Sequence, residues 1–531
     1  MDRTCDVLVV GAGMAGLTAA AYAAKAGRDV LICEKAEKVG GLVTDFTVDG
    51  FHFDAGLRAI ENSGVIHPML RDLGLDVPFY ANPVTIRIQH HQIRLNRDGL
   101  SQYGMMLAAL FPQQEADIQA ILHEIRRVMD VMDVLYGIDN PLFMDMKSNP
   151  TYLMRTVLPW LLRYQRNIRK VKKLQTPIET YLSRFTTNQA LIDIIAQHFF
   201  RYTPCFFALS YFGLYQDYQY PKGGTGALAA MMVQYLHSKQ VDIQCQTEIM
   251  QINAAAKTAW NSAGESIRYR EMIWAADAKA LYGAVEQHAN LPKSFTAMAH
   301  KVASARGGDS VLSVFMALDV SPAAIDEAFG AHCFYTPATQ GLSSLGLDSW
   351  QHASLETDHR KALETWVDRY LSLTTYEVSC PVLRDATLAP AGQCGLIVST
   401  LFSYDLTRLI QQAGWLEEWK SQCTERILDQ LAIALPQMRD RVIFTDCATP
   451  LTLQSRTSNT DGAITGWAFS SIMPAESRFE KIAQSVQTPI PHVHQAGQWT
   501  FSPSGLPVSI ITGKLSADRV LKELSRNRHD R

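Results

Sequence analysis

Asp6-Val-Leu-Val-Val-Gly11-Ala-Gly13-Met-Ala-Gly16 and, further on, Val30-Leu-Ile-Cys-Glu34 decide the fold of this chain. Val7 to Val10 is an apolar run of strand length that meets three glycines spaced G-x-G-x-x-G. An alanine-rich stretch of helical character, Leu17 to Ala26, follows, and a second apolar run ends in an acid 18 residues after the third glycine. Each part has a mechanical reason. Gly11 permits the tight turn out of the strand, and Gly13 lets backbone N–H groups approach a pyrophosphate. Gly16 lets the helix lie close to the sheet, and the Glu34 carboxylate accepts hydrogen bonds from a ribose 2′-hydroxyl. The strand–helix–strand–acid context separates this pattern from an ordinary glycine-containing turn and predicts a bound dinucleotide.

The rest of the composition agrees with a large enzyme. With 531 residues, 47% apolar and 19% charged, the chain has material for more than one core, which predicts two domains. A net charge of −3 gives no reason to expect nucleic acid. Nine cysteines without a C-x-x-C pair read as reduced, mostly buried thiols of a cytoplasmic protein, not as a disulfide framework or a structural zinc. The first strand starts close to Met1, which predicts no signal peptide, and no apolar run reaches the ~18–20 residues that span a bilayer.

Along the chain, residues 79–210 carry Met, Leu, Tyr and Phe at helical spacings with few turn signals. A helix is expected over Ala227 to Lys239, strands at Val241 to Gln246, Glu248 to Ile252 and Ile267 to Trp274, and a closing helix over Val508 to Leu524. There is no internal repeat or low-complexity tract.

The kind of dinucleotide is read from Val39-Gly40-Gly41-Leu42 and Phe51-His-Phe53-Asp54-Ala-Gly56. A second glycine pair has no use beside a nicotinamide cofactor, whereas a longer, flavin-bearing one needs close backbone approach along more of its length. With these residues the chain resembles the flavoprotein family of amine oxidases, phytoene desaturases, carotenoid isomerases and retinol saturase, which place FAD on this fingerprint. That family's usual Gly-Gly-Arg is Gly40-Gly41-Leu42 here, so no role passes from the arginine. Tyr220-Pro221, Gly223, Gly224 and Leu228 resemble a hallmark of the phytoene desaturase-like members, and Thr247 to Ile252 resembles their strand beside the adenine. Thr449, Pro450, Thr452, Arg456 and Gly462 to Trp467 resemble the family's approach to the flavin. Ala496-Gly497-Gln498, Ser504-Gly505-Leu506-Pro507-Val508 and Thr512-Gly513-Lys514 resemble its closing motif, a loop and helix N-terminus facing the isoalloxazine. Gln498, where many members carry Asp, and Ser502-Pro503-Ser504, where Pro-Gly-Gly is common, depart from the pattern.

The resemblance implies an α/β fold, a Rossmann-type (glutathione-reductase-like) FAD-binding domain interleaved with a mixed α+β substrate domain. The FAD-binding part is expected at 1–78, 212–300 and 441–531, and the substrate part at 79–211 and 301–440. It further implies FAD contacts from Gly11, Gly13, Met14, Ala15, Gly16, Glu34, Lys35, Gly41, Leu42, Val43, Gly56, Leu57, Ile249, Ala276, Gly497, Gln498, Leu506, Pro507 and Val508. Arg58 and Glu61 lie where the family's loop runs toward the flavin, which makes them the candidate catalytic groups; the competing reading is a structural ion pair. Trp467 and Trp499 are open between lining the flavin and packing in a core, and His52 reads as a structural histidine.

Reaction class follows partly from what is missing. One nucleotide fingerprint without C-x-x-C is not the build of a two-nucleotide disulfide reductase, and no G-x-S-x-G elbow or metal spacing appears. His90-His91 and His492-x-His494 stand without Cys or carboxylate clusters at ligand spacing, so no metal is expected. The flavin must then carry the chemistry. Related enzymes desaturate, saturate or isomerise C–C bonds of apolar polyenes such as carotenoids, retinoids and other isoprenoid lipids, and the three stay open here. An amine oxidase acting on a C–N bond and a non-catalytic prenyl or lipid carrier on the same fold are the alternatives. Quinone, oxygen or a separate reductase all remain open as electron acceptor. Leu153 to Leu174 places Met154, Val157, Leu158, Leu161, Tyr164, Ile168 and Val171 at helical spacing among seven Arg and Lys residues without one acid. Such a helix fits the headgroup layer of an anionic membrane, which places the protein in the cytoplasm with peripheral contact on a membrane's cytoplasmic face. Packing of the apolar stripe on its own domain is the alternative, and Pro159 works against helix continuity.

Overall fold

The computed structural model describes residues 3–95, 99–144, 150–286, 291–346, 359–469 and 472–529. Two seven-stranded sheets organise them. The first contains the fingerprint strand Arg3–Val10, flanked in parallel by Val30–Cys33 and Ser266–Trp274. Asp242–Gln244 extends it on one side, and the antiparallel strands Thr258–Asn261 and Ile249–Asn253 extend it on the other. Val493–Gln495 pairs in parallel with the carboxyl-terminal half of Ser266–Trp274, opposite Met272 to Trp274. Val7 to Val10 is buried on both faces, as expected of a continuous apolar run in a parallel sheet covered by helices.

Two helices pack on this sheet and on each other. Met14–Lys25 follows the fingerprint, and Leu506–His529 closes the described chain. Their contact depends on small residues. A Cβ on Gly513 would lie 2.5 Å from the Ala15 carbonyl oxygen, and one on Gly16 would lie 1.9 Å from that of Gly11. The alanine-rich helix surface (Ala19, Ala20, Ala21 and Ala23 all fully buried) lets the other elements approach equally closely.

The second sheet runs Val442–Ala448, Ser310–Leu318, Cys394–Phe402, Tyr376–Ser379, His332–Thr336, Val84–Ile88, His91–Arg94. Its members come from stretches lying between those of the first sheet, so the chain alternates between layers. Two expectations are corrected here. Residues 84–94 are a strand hairpin and not helical: Val84-Thr-Ile86-Arg-Ile88 alternates with the period of a strand inside a segment whose other apolar residues recur at helical spacing. Val442–Ala448 pairs with Ser310–Leu318, so the segment starting at 441 does not return to the first layer until after residue 448. Helices Gly99–Leu110, Glu115–Tyr136, Ile178–Leu182, Gln189–Ala196 and Cys205–Leu214 form a largely aromatic and aliphatic body beside the second sheet.

Pro159 does not break its helix. Leu153–Val157 forms a π turn in which the Leu158 N–H donates to the Leu153 carbonyl, and this wider turn sits directly before the proline. Pro159 then occupies the first turn of Leu158–Val171, where a missing N–H costs nothing. The expected apolar stripe divides. Val157, Ile168 and Val171 are buried, while Met154, Leu158, Leu161 and Leu162 are exposed by 63, 42, 39 and 72%. Among the described residues no helix is long and apolar enough to cross a membrane.

The Gly16 contact gives a direct test. Gly16→Ala puts a methyl group against a backbone oxygen that cannot swing away, so overpacking should cost about 1–3 kcal/mol. The expected outcome is a lower unfolding midpoint and loss of cofactor from the purified protein; unchanged values for both would contradict the packing.

Candidate active site

The motifs separated along the sequence meet at the carboxyl ends of the first sheet's strands. The Ala275 N–H donates to the Val10 carbonyl at 2.7 Å and the Ala496 N–H to the Trp274 carbonyl at 2.9 Å, which aligns Gly11, Ala276 and Gly497 in a row. Gly497 is held by its own N–H, which donates to Thr512 Oγ1 at 2.9 Å, and its Cα faces Ala15 in the fingerprint helix. Met14–Lys25 begins at Gly13 without a side-chain cap. Its first-turn amides at Met14, Ala15 and Gly16 are therefore the donors a helix start leaves for an anion.

Glu34 lies at the end of the neighbouring strand and accepts from the Ala12 and Ala36 N–H groups at 2.6 and 2.8 Å. Two bonds leave a carboxylate with lone pairs for ribose hydroxyls. The Thr247 N–H donates to the Glu34 carbonyl, bringing Ile249 to this end, where Lys35 pairs with Glu248 at 3.1 Å. The glycine pair stacks on the fingerprint loop, with the Gly40 N–H donating to the Ala12 carbonyl at 2.8 Å and Gly41 against Gly13. The Leu57 N–H donates to the Leu42 carbonyl at 2.9 Å, which adds Leu42, Val43 and Gly56 to the same trough. An uncapped helix start, a carboxylate one strand away and a row of glycine turns tied together by backbone hydrogen bonds fit FAD: Met14 to Gly16 would hold the pyrophosphate, and Glu34 the ribose.

Gly223 supplies a left-handed turn at φ +86°, and Gly224 serves packing. A Cβ on Gly224 would lie 2.1 Å from His52 Nε2. The turn is anchored on Asp54, a fully buried carboxylate. Asp54 Oδ2 accepts from the Tyr220 hydroxyl at 2.8 Å, and Oδ1 accepts from the Thr225 N–H and hydroxyl at 2.9 and 2.8 Å. The Arg384 guanidinium lies 3.9 Å from the centre of the Tyr220 ring. His52, buried as expected, has Nε2 3.8 Å from Asp54 and 3.6 Å from Asp45.

Arg58 and Glu61 take different positions. The Arg58 guanidinium is buried against the second sheet, 2.9 Å from Glu377 Oε2 and donating to the hydroxyls of Ser399 and Ser313 at 2.5 and 3.3 Å. Burial would raise the Glu377 carboxyl, but Arg58 and His332 hold it at about 2. Glu61 has a half-buried side chain whose Oε1 lies 3.8 Å from where a Cβ on Gly505 would stand, so it borders the closing motif. Burial pushes its carboxyl up to about 7. Trp467 and Trp499 are buried and pack edge to face at 4.7 Å, the Trp467 indole donating to the Trp499 carbonyl. They form a small core and not an exposed wall.

Residues 14–521 match the family described as flavin containing amine oxidoreductase. The chain belongs to the flavin-containing amine oxidoreductase family. It is an FAD-dependent oxidoreductase, and FAD is its cofactor. Among similar proteins of this family, an all-trans-retinol 13,14-reductase of Danio rerio is 24% identical, covering 99% of this chain and 86% of its own. A 4,4′-diapophytoene desaturase of Staphylococcus aureus is 21% identical, covering 98 and 99%. A solved putrescine oxidase bound to putrescine shares the fold with a TM-score of 0.62 at 15% identity, over 98% of this chain and 100% of that one. A cyclohexylamine oxidase of Brevibacterium oxydans does so with 0.59 at 15% identity, over 98 and 99%.

The Asp54 anchor has a pH signature. Burial opposes its charge, but His52, Arg384, Thr225 and Tyr220 together hold the carboxyl below its ordinary value. A depressed folded-state value means stability that is present above about pH 4, the unfolded value, and is lost as pH falls through the folded one. Asp54→Asn should lower the unfolding free energy at pH 7 by about 2–4 kcal/mol and flatten the acid limb, read by urea unfolding at pH 7 and at a series of pH values below about 4. An unchanged acid limb would mean that Asp54 does not carry it.

Proposed function

We propose that this flavoenzyme exchanges hydrogen with a C–C bond of an apolar polyene, such as a carotenoid, a retinoid or a related isoprenoid lipid. The observation that carries the reading is the end-to-end relationship to a retinol 13,14-reductase and a diapophytoene desaturase, against a likeness in fold alone to the amine oxidases. The site agrees in its chemistry. An ammonium substrate is best received on exposed aromatic faces, and the two tryptophans of the closing motifs are spent on each other.

FAD, when bound, supplies the two-electron exchange with the substrate carbon. Glu61 is the proton-handling group of the proposal, because its carboxyl borders Gly505 and titrates near neutrality in a site poor in other free acids. Arg58 is a positioning residue, with its charge committed to Glu377 and its loop joined to the Tyr220 motif by the pairing of Ile60 with Gln219. The remaining cofactor contacts are proposed as the sequence places them, Gln498, Leu506, Pro507 and Val508 beside the flavin end.

The test is anaerobic mixing of photoreduced enzyme with a polyene panel, and of oxidised enzyme with more saturated precursors. Reoxidation by a polyene marks a saturase, bleaching by a precursor a desaturase, and isomer change without bleaching an isomerase; bleaching by amines alone would overturn the reading. Saturation needs protonated Glu61, so its rate should fall as pH rises past about 7, while desaturation needs the carboxylate and should rise there. Glu61→Gln should remove that limb and lower turnover by about 10²-fold or more with FAD content unchanged.

The apolar substrate is collected, in this proposal, at a membrane. Met154, Leu158, Leu161 and Leu162 are exposed beside Arg155, Arg163, Arg166, Arg169 and Lys170, all of them solvent-facing. The protein should pellet with anionic vesicles at low salt. Arg163→Glu with Arg166→Glu should weaken this at least about 10-fold, at roughly 1 kcal/mol per basic residue near the surface. Equal recovery with neutral vesicles would remove the electrostatic part.

A further inference from the structure

Where the last strand of the first sheet meets the outer part of the closing helix, four ligand-type side chains converge from three elements. Glu271 lies on Ser266–Trp274, His494 on Val493–Gln495 with His492 just before it, and Glu523 on Leu506–His529. The sequence shows two histidines without carboxylates at ligand spacing; the fold supplies both acids. One oxygen each of Glu271 and Glu523 and a ring nitrogen of His494 all lie within 4.8 Å of one another. His494 Nε2 is 3.2 Å from Glu523 Oε2 and 3.6 Å from Glu271 Oε2. For metal–ligand bonds of about 2.0–2.1 Å, a tetrahedral site has ligand-to-ligand edges of about 3.3 Å, so both separations have the span of such an edge.

A second observation points to a ligand. The Glu271 side chain is fully buried, yet among the described residues its Oε2, the oxygen aimed into this group, has no hydrogen-bond partner; His494 Nε2 lies 3.6 Å from it. Its other oxygen is taken by His492 Nδ1 at 2.9 Å, and the outer oxygen of Glu523 is taken by Arg519 Nε at 3.0 Å. Each carboxylate is thus oriented through one oxygen while the other faces the same point, the usual arrangement by which outer partners aim metal ligands. The His494 ring makes its polar contacts through Nε2 only, on the same side.

We propose that Glu271, His494 and Glu523 form a site for a divalent transition-metal ion of the zinc type, with His492 positioning Glu271. One imidazole and two carboxylates leave a fourth position, reached past the half-exposed His492 and Glu523. The site ties the outer part of the closing helix to the sheet edge. Glu523 lies 17 residues, about 25 Å of helix, from Leu506, so the ion would brace the helix whose other end borders the cofactor trough.

The test uses the full-length, FAD-loaded protein, stripped with a chelator and titrated with Zn²⁺ alone, followed by elemental analysis, and with Co²⁺ for its visible ligand-field bands. The expected result is one equivalent per chain and a rise in unfolding midpoint with Zn²⁺. Glu523→Gln, a change at a half-buried helix position that leaves the core intact, and His494→Gln should each abolish the stoichiometric binding without changing FAD content. His492→Gln should weaken it about 10–100-fold, as loss of an outer partner does. Absence of saturable Zn²⁺ or Co²⁺ binding would overturn the proposal. So would binding of equal stoichiometry and affinity in Glu523→Gln and His494→Gln, which would assign it to other surface histidines.

Discussion

The close approach of two helices, Met14–Lys25 and Leu506–His529, is the contact on which the rest of the molecule depends. At its tightest point backbone meets backbone, since a single added carbon at Gly513 would meet the Ala15 oxygen at 2.5 Å. Because the helices touch, Thr512 is in reach of the Gly497 N–H, and the loop at Gly497 lies over the fingerprint turn. Both ends of the described chain thereby contribute to one trough, and everything between them must leave this layer and come back. The alternation between two sheets is the geometric result.

Where the layers meet, the chain buries charge instead of avoiding it. Arg58 and Asp54 sit within five residues of each other and reach in different directions, one to Glu377, Ser313 and Ser399, the other to Tyr220 and Thr225. Arg384 closes the seam by donating to the Arg58 carbonyl, to Asn82 and to Ser379 while covering Tyr220. Ion pairs of this kind add little net stability, but a register that separates the partners leaves an unpaired buried charge, which is severely penalised. The seam therefore selects one alignment of the two layers, and with it the position of the Glu61 loop against the closing motif.

How much of this could be read in the sequence depended on distance along the chain. The fingerprint was legible because Gly11, Gly16 and Glu34 act on one another within thirty residues, at spacings fixed by a strand and a helix. The family resemblance extended that to the distant glycines at 40, 223 and 497. Partners supplied by tertiary structure alone were not legible. Arg58 meets Glu377 across 319 residues, and His494 meets Glu271 across the width of a strand pair. Asp54 stood in plain view in Phe51-His-Phe53-Asp54, but nothing local shows that Tyr220 and Thr225 will donate to it. The hairpin at 84–94 has a local signal, the alternation Val84-Thr-Ile86-Arg-Ile88, but that run is swamped by the helical spacing of the long segment around it.

The interleaving also sets a timetable. The strand Arg3–Val10 is made about 480 residues before Val493–Gln495, which pairs with its parallel neighbour Ser266–Trp274, and before the helix that covers its turn. At elongation rates of ~5–20 residues per second that gap is on the order of half a minute to a minute and a half, during which an apolar parallel strand lacks its completed sheet. The second sheet has all its strands once Val442–Ala448 is made, whereas the first waits for Val493–Gln495 and the closing helix. Completion of the first layer is thus a late event, and its apolar strands stay without their full cover until that helix is made.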